Sequence, residues 1–404
     1  MCLVISLIFA GCSSPKEPTE ESTSSSSSQS SSQSSQSSES SEVSTPLPDI
    51  TFPLGYDQLT EAEKTVYDLL ESGTVTPETP LVLDQSLTVR QVNQLCSLYQ
   101  LNRTDYSWQG NQYYAVGTTH VKLMATPRLD EDLDEEQMTE TFEKRARWYL
   151  DRIPQNGTDY EKVCSIASLL CQNVSYYTLA ADFTVEPSTM TEPIKRLIQE
   201  AKHEYGAIVN GQAICTGYAA AFRYLCNELG IPVLMVYGYT NPFQLHSWNL
   251  VLVDGAWYQV DVTWMDQETY QDNTYLLATD FQLSSDHFNR YYLKVPQGET
   301  PLHTITLPVC DSTENSWFVQ EEQLFQNAET AITFLKKYFT MDAQIMQVQL
   351  SSEAEYYRLI HAIPEFLMAS PLGSGDYVGF GAEVVASNAT ARTVTIKSKG
   401  IAAS

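Results

Sequence analysis

The chain has few basic residues for its size. Its 404 residues include 23 Lys and Arg against 50 Asp and Glu, which gives a formal net charge of -27 at pH 7. A surface of this charge repels nucleic acid and anionic lipid headgroups, so we expect neither DNA or RNA binding nor electrostatic adsorption to a membrane. Attachment to a membrane would therefore need an anchor.

Motifs for metals and nucleotides are also missing. The six histidines and eight cysteines show no His-x-x-x-His or Cys-x-x-Cys spacing, and the chain has no phosphate-binding glycine loop. These absences favour chemistry that needs neither a metal nor a cofactor. His287 stands in a predicted loop and is expected to be solvated rather than functional.

A disulfide framework is not expected either. Cys164 and Cys171 fall on a helix predicted from Asp159 to Asn173, where seven residues of helix separate them by about 10 Å, too far for a disulfide. When the two cysteines of the leader and Cys215 are set aside, an odd number remains. Buried free thiols fit that number better than pairs.

No hydrophobic run is long enough to span a bilayer. The apolar stretch Leu3 to Ala10 is short and leads to Gly11-Cys12, which looks like a bacterial lipoprotein signal over residues 1–12. Cleavage before Cys12 would leave that cysteine to carry lipid; the alternative is an ordinary disordered leader. Residues 13–46, rich in Ser, Gln and Glu, cannot form a core and are expected to act as a flexible tether.

The remaining sequence is long for one domain and suggests three regions of mixed α+β structure. We place an N-terminal region at 47–155, a catalytic domain at 156–300 and a small C-terminal module at 301–404. Periodicity predicts a strand-like segment from Gln112 to Ala125 and a helix from Glu321 to Tyr338.

Cys215 starts a predicted helix. The run from Cys215 has apolar residues at helical spacing, ends at Gly230 and is followed by Pro232. In the first turn of a helix, the unpaired backbone N–H groups and the positive end of the helix dipole favour a thiolate. The backbone N–H of Cys215 is also a candidate oxyanion donor.

His246 and Asp261 lie on two predicted strands that flank Asp254-Gly255, the strongest short-range hairpin signal; the second strand is predicted to run to Trp264. If these two residues form the turn, His246 faces Thr263, and Asp261 is a diagonal neighbour on the same face of the sheet. The Cα atoms would then be about 7 to 8 Å apart, close enough for the carboxylate to accept the imidazole N–H.

Each of these three residues alone has an ordinary structural interpretation, as a small core cysteine, a satisfied histidine at a strand end or an acid beside a turn. Together, in this order, they supply the nucleophile, the base and the orienting group of thiol acyl-transfer chemistry.

The segment from about 160 to 295 resembles the transglutaminase-like superfamily, whose core is related to papain-type thiol enzymes. Three motifs carry the resemblance: Ala213-Ile-Cys215-Thr-Gly-Tyr-Ala219, His246-Ser-Trp-Asn249 and Trp257-Tyr-Gln-Val-Asp261-Val-Thr-Trp264. Ser247 departs from the family, in which Ala is commoner. The resemblance implies a Cys-His-Asp triad of Cys215, His246 and Asp261. It also implies an α+β fold in which the cysteine helix packs on an antiparallel sheet that carries the histidine and the aspartate.

Family members take a second oxyanion donor from a side chain upstream of the nucleophile. Tyr176 and Tyr177 are the best-placed candidates and Gln212 is a weaker one, although aromatic residues just after a helix are more often core. Trp248 and Trp264 are expected to wall the site or fill the core rather than to act chemically.

We therefore expect a lipid-anchored enzyme on the extracytoplasmic face of the cell membrane that forms a Cys215 thioester with peptide or glutamine-type carboxamides of a protein or peptide partner. Hydrolysis, as by a protease or amidase, is slightly preferred over transglutaminase cross-linking, because an envelope enzyme meets far more water than amine. The alternative is a non-catalytic module that binds envelope protein or glycan.

Overall fold

The computed structural model describes residues 53, 55–83, 87–102, 106, 108, 111–127, 134–182, 190–241, 244–267, 269–288, 307–339, 344–363, 368–369 and 377–402. These residues form a mixed α+β structure with four sheets. The predicted signal and tether, residues 1–46, lie outside the described residues. None of the helices in the described part of the chain is long and apolar enough to cross a membrane.

The N-terminal region combines three helices with a small antiparallel sheet. Its elements are α1 (Glu61–Glu71), β1 (Leu81–Val82), α2 (Val89–Asn102), β2 (Asn111–Val116), β3 (Lys122–Pro127) and α3 (Glu135–Leu150). The segment predicted as one strand is a hairpin of β2 and β3, because Gly117, at φ +126°, lets the chain reverse. Helix α1 begins with a capping box between Thr60 and Glu63.

The middle region contains the predicted nucleophile helix and its sheet. Its elements are α4 (Asp159–Asn173), β4 (Ser175–Tyr176), α5 (Thr178–Ala181), α6 (Glu192–Glu200), a π-helical turn (Gly206–Asn210), β5 (Gln212–Ala213), α7 (Cys215–Glu228), β6 (Val233–Thr240), β7 (Gln244–Val253), β8 (Ala256–Val260), α8 (Val262–Met265), a 3-10 turn (Asn273–Tyr275), α9 (Asp280–Leu283) and β9 (His287–Phe288). The predicted bounds of α4 are confirmed.

A four-stranded antiparallel sheet, in the order β8-β7-β6-β9, is covered on both faces. On one face, residues of β7 such as Val251 and Val253 share a hydrophobic core with Phe222 and Leu225 of α7. Trp248 and Leu250 alternate with these residues, as the period of a strand requires, and pack in a second core with residues of α1, α2 and β3. The expected packing of the cysteine helix on an antiparallel sheet is confirmed.

The C-terminal module has its own core. Its elements are α10 (Trp317–Gln320), β10 (Leu324–Phe325), α11 (Ala328–Tyr338), β11 (Ile345–Leu350), α12 (Glu353–Ala362), β12 (Met368–Ala369), β13 (Tyr377–Asn388) and β14 (Thr393–Ala402). The five strands form one sheet in the order β10-β11-β14-β13-β12. Leu335, Val348, Leu359 and Ile396 pack between this sheet and helices α11 and α12.

The prediction of a single helix from Glu321 to Tyr338 is wrong. Leu324 and Phe325 instead pair in parallel with the end of β11, and the helix starts only after Asn327. The Asn327 side chain accepts the backbone N–H of Thr330, so it caps a new helix at that point.

All six cysteines in the described part of the chain are free thiols. Cys164 and Cys171 both pack against the core that α4 shares with α7, as expected. Cys2 and Cys12 lie outside the described residues.

Candidate active site

Cys215 is the first residue of α7 and is largely buried, with 9% of its surface exposed. The backbone N–H groups of Gly217 and Tyr218 donate to the Ile214 carbonyl, so the helix begins at the peptide before the thiol. A Cβ on Gly217 would lie 2.5 Å from the Ala201 carbonyl oxygen. Glycine at 217 therefore allows the first turn of α7 to lie against the chain that leaves α6.

His246 lies in β7, opposite Gly238 of β6. Its Nε2 is 2.6 Å from Asp261 Oδ2, and Cys215 is among the neighbouring groups that raise the pKa of its ring. Because Nε2 faces the carboxylate, Nδ1 is the nitrogen left for the thiol. The imidazole thus connects the cysteine and the aspartate that the sequence analysis selected.

Asp261 occupies a different position from the one predicted. The hairpin register is as expected from the Val253–Ala256 pair to the Asn249–Val260 pair, but β8 ends at Val260. The prediction that the strand continues to Trp264 and that His246 faces Thr263 is wrong. Asp261 instead caps α8, and its Oδ1 accepts the Trp264 N–H at 3.2 Å.

Because Asp261 Oδ1 caps α8, its other oxygen, Oδ2, is available to the His246 imidazole. The backbone N–H of Asp261 donates to the Tyr275 carbonyl at 2.9 Å, and the side chain is buried. The carboxylate therefore meets His246 from a helix terminus that is held on two sides, rather than from the sheet.

The electrostatics favour charge on both His246 and Asp261. Burial by itself lowers the pKa of His246, but the Asp261 carboxylate, with a smaller effect from Cys215, raises this pKa to about 10. Burial by itself raises the pKa of Asp261, yet His246 and His287 together hold this pKa well below its usual range. The site therefore keeps a carboxylate beside an imidazole that readily accepts a proton.

His287 is the residue of this site that the sequence analysis missed. The expectation that it is solvated is wrong, because it is buried in β9, next to β6. Its Nε2 lies 2.8 Å from Asp261 Oδ2 and its Nδ1 lies 2.7 Å from Asp286 Oδ1. The available signal was the Asp286-His287 pair itself, downstream of the three motifs.

Two tryptophans enclose the imidazoles. Trp248 stacks on His246 with ring centroids 5.9 Å apart, and the Trp264 ring lies 4.7 Å from that of His287. The Trp248 indole N–H donates to Gln259 Oε1 at 2.6 Å, and the Gln259 amide donates to Asp280. Trp248 also packs in the second core, whereas Trp264 is half-buried.

Ser247, the residue after His246 where the resembled family more often has Ala, fits into the sheet without strain. Its side chain is buried and its hydroxyl donates to the Val236 carbonyl at 2.9 Å. The hydroxyl is therefore satisfied inside the sheet and leaves His246 undisturbed.

Among the oxyanion candidates, Tyr176 is linked to Cys215 by its strand position and by an effect of the Cys215 charge on its pKa. Strand β4 pairs in parallel with β5, which places Tyr176 beside Ala213, two residues before the thiol. Burial, followed by the charges of Cys215 and Asp261, raises the pKa of Tyr176 to about 12, so the hydroxyl stays a donor at neutral pH.

The other two candidates lie on the same pair of short strands or next to it. Gln212 is in β5, opposite Ser175, and Tyr177 follows β4. Tyr177 uses its backbone N–H to bond the Ala213 carbonyl, which helps to hold β4 against β5.

The donor atoms of His246, Asp261 and His287 all lie within 4.8 Å of one another, a spacing that invites comparison with a metal centre. Around a tetrahedral zinc with bonds of about 2.0 to 2.1 Å, nitrogen and oxygen ligands would lie about 3.3 Å apart. The observed contacts of 2.6 and 2.8 Å are shorter. The three side chains fit a hydrogen-bonded array better than a metal site.

Residues 149–262 match the sequence family described as the transglutaminase-like superfamily. The proteins named Kyphoscoliosis peptidase from Homo sapiens and Mus musculus are each 26% identical over 171 residues, covering 36% of this chain and 24% of each relative. The chain thus matches about a quarter of the length of these relatives. A crystal structure described as a TGase gives a TM-score of 0.30 at 14% identity, over 55% of this chain and 58% of that one.

The family match includes Cys215, His246 and Asp261, as well as helix α7 and the hairpin of β7 and β8. Residues 149–262 therefore form a transglutaminase-like superfamily domain of α+β fold.

Proposed function

We propose that this protein is a thiol acyl-transfer enzyme in which Cys215 forms a thioester with a peptide or glutamine-type carboxamide. The observation that carries this proposal is the position of His246. Its Nε2 lies 2.6 Å from the buried Asp261 carboxylate, and Cys215, the first residue of α7, contributes to the raised pKa of its ring. A thiol, a base and an orienting acid in this arrangement are what acyl transfer through cysteine requires.

In the acylation step the Cys215 sulfur attacks the carbonyl carbon, and the carbonyl oxygen becomes an oxyanion. The backbone N–H of Cys215 and the hydroxyl of Tyr176 are the proposed donors to that oxygen. His246, which took the thiol proton, returns a proton to the leaving nitrogen as the C–N bond breaks. The products of this step are the thioester and a released amine or ammonia.

In the second step His246 removes a proton from water, and the resulting hydroxide attacks the thioester carbon. Collapse of the second oxyanion breaks the C–S bond and releases a carboxylic acid. Asp261 stays ionised throughout and stabilises each imidazolium that forms. A primary amine in place of water would give an isopeptide bond instead.

Hydrolysis of peptides is the outcome that we favour. Water at an exposed envelope site is far more concentrated than any amine. The name peptidase of the two curated relatives gives independent support for peptide substrates.

For the location we propose a lipid anchor at Cys12 on the extracytoplasmic face of the cell membrane. The support is in the sequence: a short apolar stretch ends in Gly11-Cys12, and a Ser-rich tether follows. The net charge of -27 makes adsorption to anionic lipid unfavourable. Attachment of the protein to a membrane would therefore need a covalent anchor.

Mass-spectrometric profiling of a peptide library with and without an added primary amine tests this function. Hydrolysis gives two shorter peptides or a deamidated residue, whereas transfer to a glutamine-type carboxamide adds the mass of the amine less that of the ammonia released. Cys215→Ala should abolish every product, and Cys164→Ala, which alters a free thiol on α4, should change none. Equal product formation by the wild-type protein and Cys215→Ala would refute the proposal.

A further inference from the structure

We propose that His287 is a permanently protonated imidazolium that holds the Asp261 carboxylate in place, an arrangement that we call the clamp. We also propose that Asn388 of the C-terminal module orients the clamp. The inference rests on the proposed function for its effect on catalysis, since it concerns a positioning residue that acts through Asp261. The clamp itself is a property of the folded chain.

The protonation state follows from the contacts of the two ring nitrogens. One is 2.8 Å from Asp261 Oδ2 and the other is 2.7 Å from Asp286 Oδ1. A neutral imidazole donates from one nitrogen and presents a lone pair at the other. At 2.7 or 2.8 Å that lone pair would face a carboxylate oxygen, which is repulsive. Both nitrogens therefore carry protons, and His287 has a positive charge between two carboxylates.

The surroundings of His287 support this charge. Its side chain is buried among Trp248, Trp264 and Tyr275, whose ring centroids lie 5.0, 4.7 and 5.6 Å from its own. Burial by itself lowers the pKa of His287, but the hydrogen bonds and charges of Asp261 and Asp286 raise it. Among the described residues, the ionisable groups that interact electrostatically with Asp261 or Asp286 include His246, Tyr176, Cys171, Tyr275 and Asp272, and Cys215 acts on His246.

His246 and His287 share one oxygen of Asp261. Both Nε2 atoms contact Oδ2, while Oδ1 is held by the Trp264 N–H. The positive charge on His287 offsets part of the negative charge that Asp261 presents to His246. The clamp therefore does two things: it fixes the direction of the carboxylate, and it keeps His246 less basic than a lone buried carboxylate would make it.

The second carboxylate is fixed from the C-terminal module. Asn388, the last residue of β13, donates its amide N–H to Asp286 Oδ2 at 3.0 Å. The orientation of this amide is determined by its oxygen, which accepts the Ala391 N–H at 2.9 Å. Tyr275 donates its hydroxyl to the same Asp286 oxygen at 3.2 Å. Asp286 Oδ1 is thereby directed to His287.

This chain of contacts joins a module outside the family match to the centre of the site. It runs from Asn388 through Asp286 and His287 to Asp261. Other contacts hold the module nearby, such as Thr393 with Thr274 at 2.8 Å. The C-terminal module thus supports the orientation of Asp261.

The first test is a titration of the wild-type protein by ¹⁵N NMR of the histidine rings, with His287 assigned from the His287→Gln spectrum. We expect both ring nitrogens of His287 to keep the shifts of a protonated imidazolium from pH 6 to pH 9. A neutral imidazole at pH 7 would overturn the proposal. Should His287→Gln fail to fold, assignment by correlation to the backbone keeps this test available.

The second test measures how fast iodoacetamide alkylates Cys215 as a function of pH, by mass spectrometry of the Cys215 peptide. In His287→Gln the loss of a nearby cation should move the midpoint upward by about 0.5 to 1 pH unit. Asn388→Ala should move it the same way by less. His361→Gln, which changes an exposed histidine on α12, should not move it.

An unchanged midpoint in His287→Gln would overturn the clamp. Neither test uses a substrate, so the proposed acyl-transfer function and the clamp can be refuted independently of each other. A protein without acyl-transfer activity but with a protonated His287 would refute the proposed function alone. An active enzyme with a neutral His287 would refute the clamp alone.

Discussion

His246 Nε2 and Asp261 Oδ2 are 2.6 Å apart, although the two residues do not pair across the hairpin. Asp261 reaches the imidazole from the N-cap of α8, where its other oxygen accepts the Trp264 N–H. The geometry of the pair therefore depends on a helix cap as well as on the sheet. Because the cap fixes the direction of the carboxylate, Asp261 can be buried and still point at the His246 imidazole.

Asp261→Asn should lower turnover by about 10² to 10⁴-fold with little change in substrate binding. The amide has the shape of the carboxylate but offers an N–H to His246, which favours the wrong tautomer. It also removes the charge that stabilises imidazolium. Steady-state kinetics on the best peptide substrate measures kcat and KM separately.

The control for this prediction is the double variant. His246→Ala should be at least as impaired as Asp261→Asn, and combining the two should be little worse than His246→Ala alone, because Asp261 acts through the imidazole. Losses that multiply would mean that Asp261 works independently of His246.

Cys215→Ala should abolish activity and leave the melting temperature within a few degrees of the wild-type value. Cys215 begins α7 and its side chain is small, so its loss removes the proposed nucleophile but little packing. Cys164→Ala is the matched control, since Cys164 is another free thiol and packs against the core from α4. A large fall in melting temperature with activity retained would indicate a structural role for Cys215.

The free energy of unfolding should fall as the pH rises from about 6.5 to about 10. The folded-state pKa of His246 is raised from 6.5 to about 10, so its protonation stabilises the fold fully below 6.5 and this contribution is lost through pH 10. We expect a loss on the order of 1 to 3 kcal/mol. Denaturant titrations at pH 6, 8 and 10 should show a smaller fall for His246→Gln. An equal fall in both proteins would contradict this assignment.

Gly238→Ala should destabilise the protein by about 1 to 3 kcal/mol and reduce activity. A Cβ at 238 would lie 2.5 Å from Trp248 Cη2 and 2.5 Å from the Phe288 carbonyl oxygen. Relief of either clash displaces the indole that stacks on His246 or the strand that carries His287. Trp248→Phe, which removes the clashing ring atoms, should make the double variant less destabilised than the sum of the single changes. Additive losses would refute this clash.

Cys12→Ser should release the protein from the membrane fraction or leave its leader unprocessed. The reason is that the proposed anchor places the lipid on the Cys12 thiol, which a serine hydroxyl cannot replace. Immunoblots of membrane and medium fractions measure the outcome. Unchanged partitioning would remove the proposed anchor.

Local signals in the sequence predicted the helix that carries Cys215 and the hairpin that carries His246. Gly230 ends α7 at φ +71°, and Asp254 and Gly255 take positive φ values of 49° and 82° in the turn. Each signal acts over a few residues, so it can be read without knowing the rest of the fold. The capping box of α4 is of the same kind.

The features that were missed depend on partners far along the chain. His287 meets Asp261, 26 residues away, and the adjacent Asp286 does not by itself indicate that His287 is buried. Strand β10 exists because it pairs with β11. At Asp261 two local preferences compete, and capping of α8 prevails over continuation of the strand.

The sheet that carries His246 is covered on its second face by the N-terminal region, and His287 lies 25 residues beyond the end of the family match at 262. A fragment trimmed to 149–262 would expose Trp248, Leu250 and Trp257 to water and would lack the second imidazole on Asp261. Such an apolar surface favours aggregation over solubility. The smallest autonomously folding fragment is therefore expected to extend past the family-matched segment 149–262 in both directions.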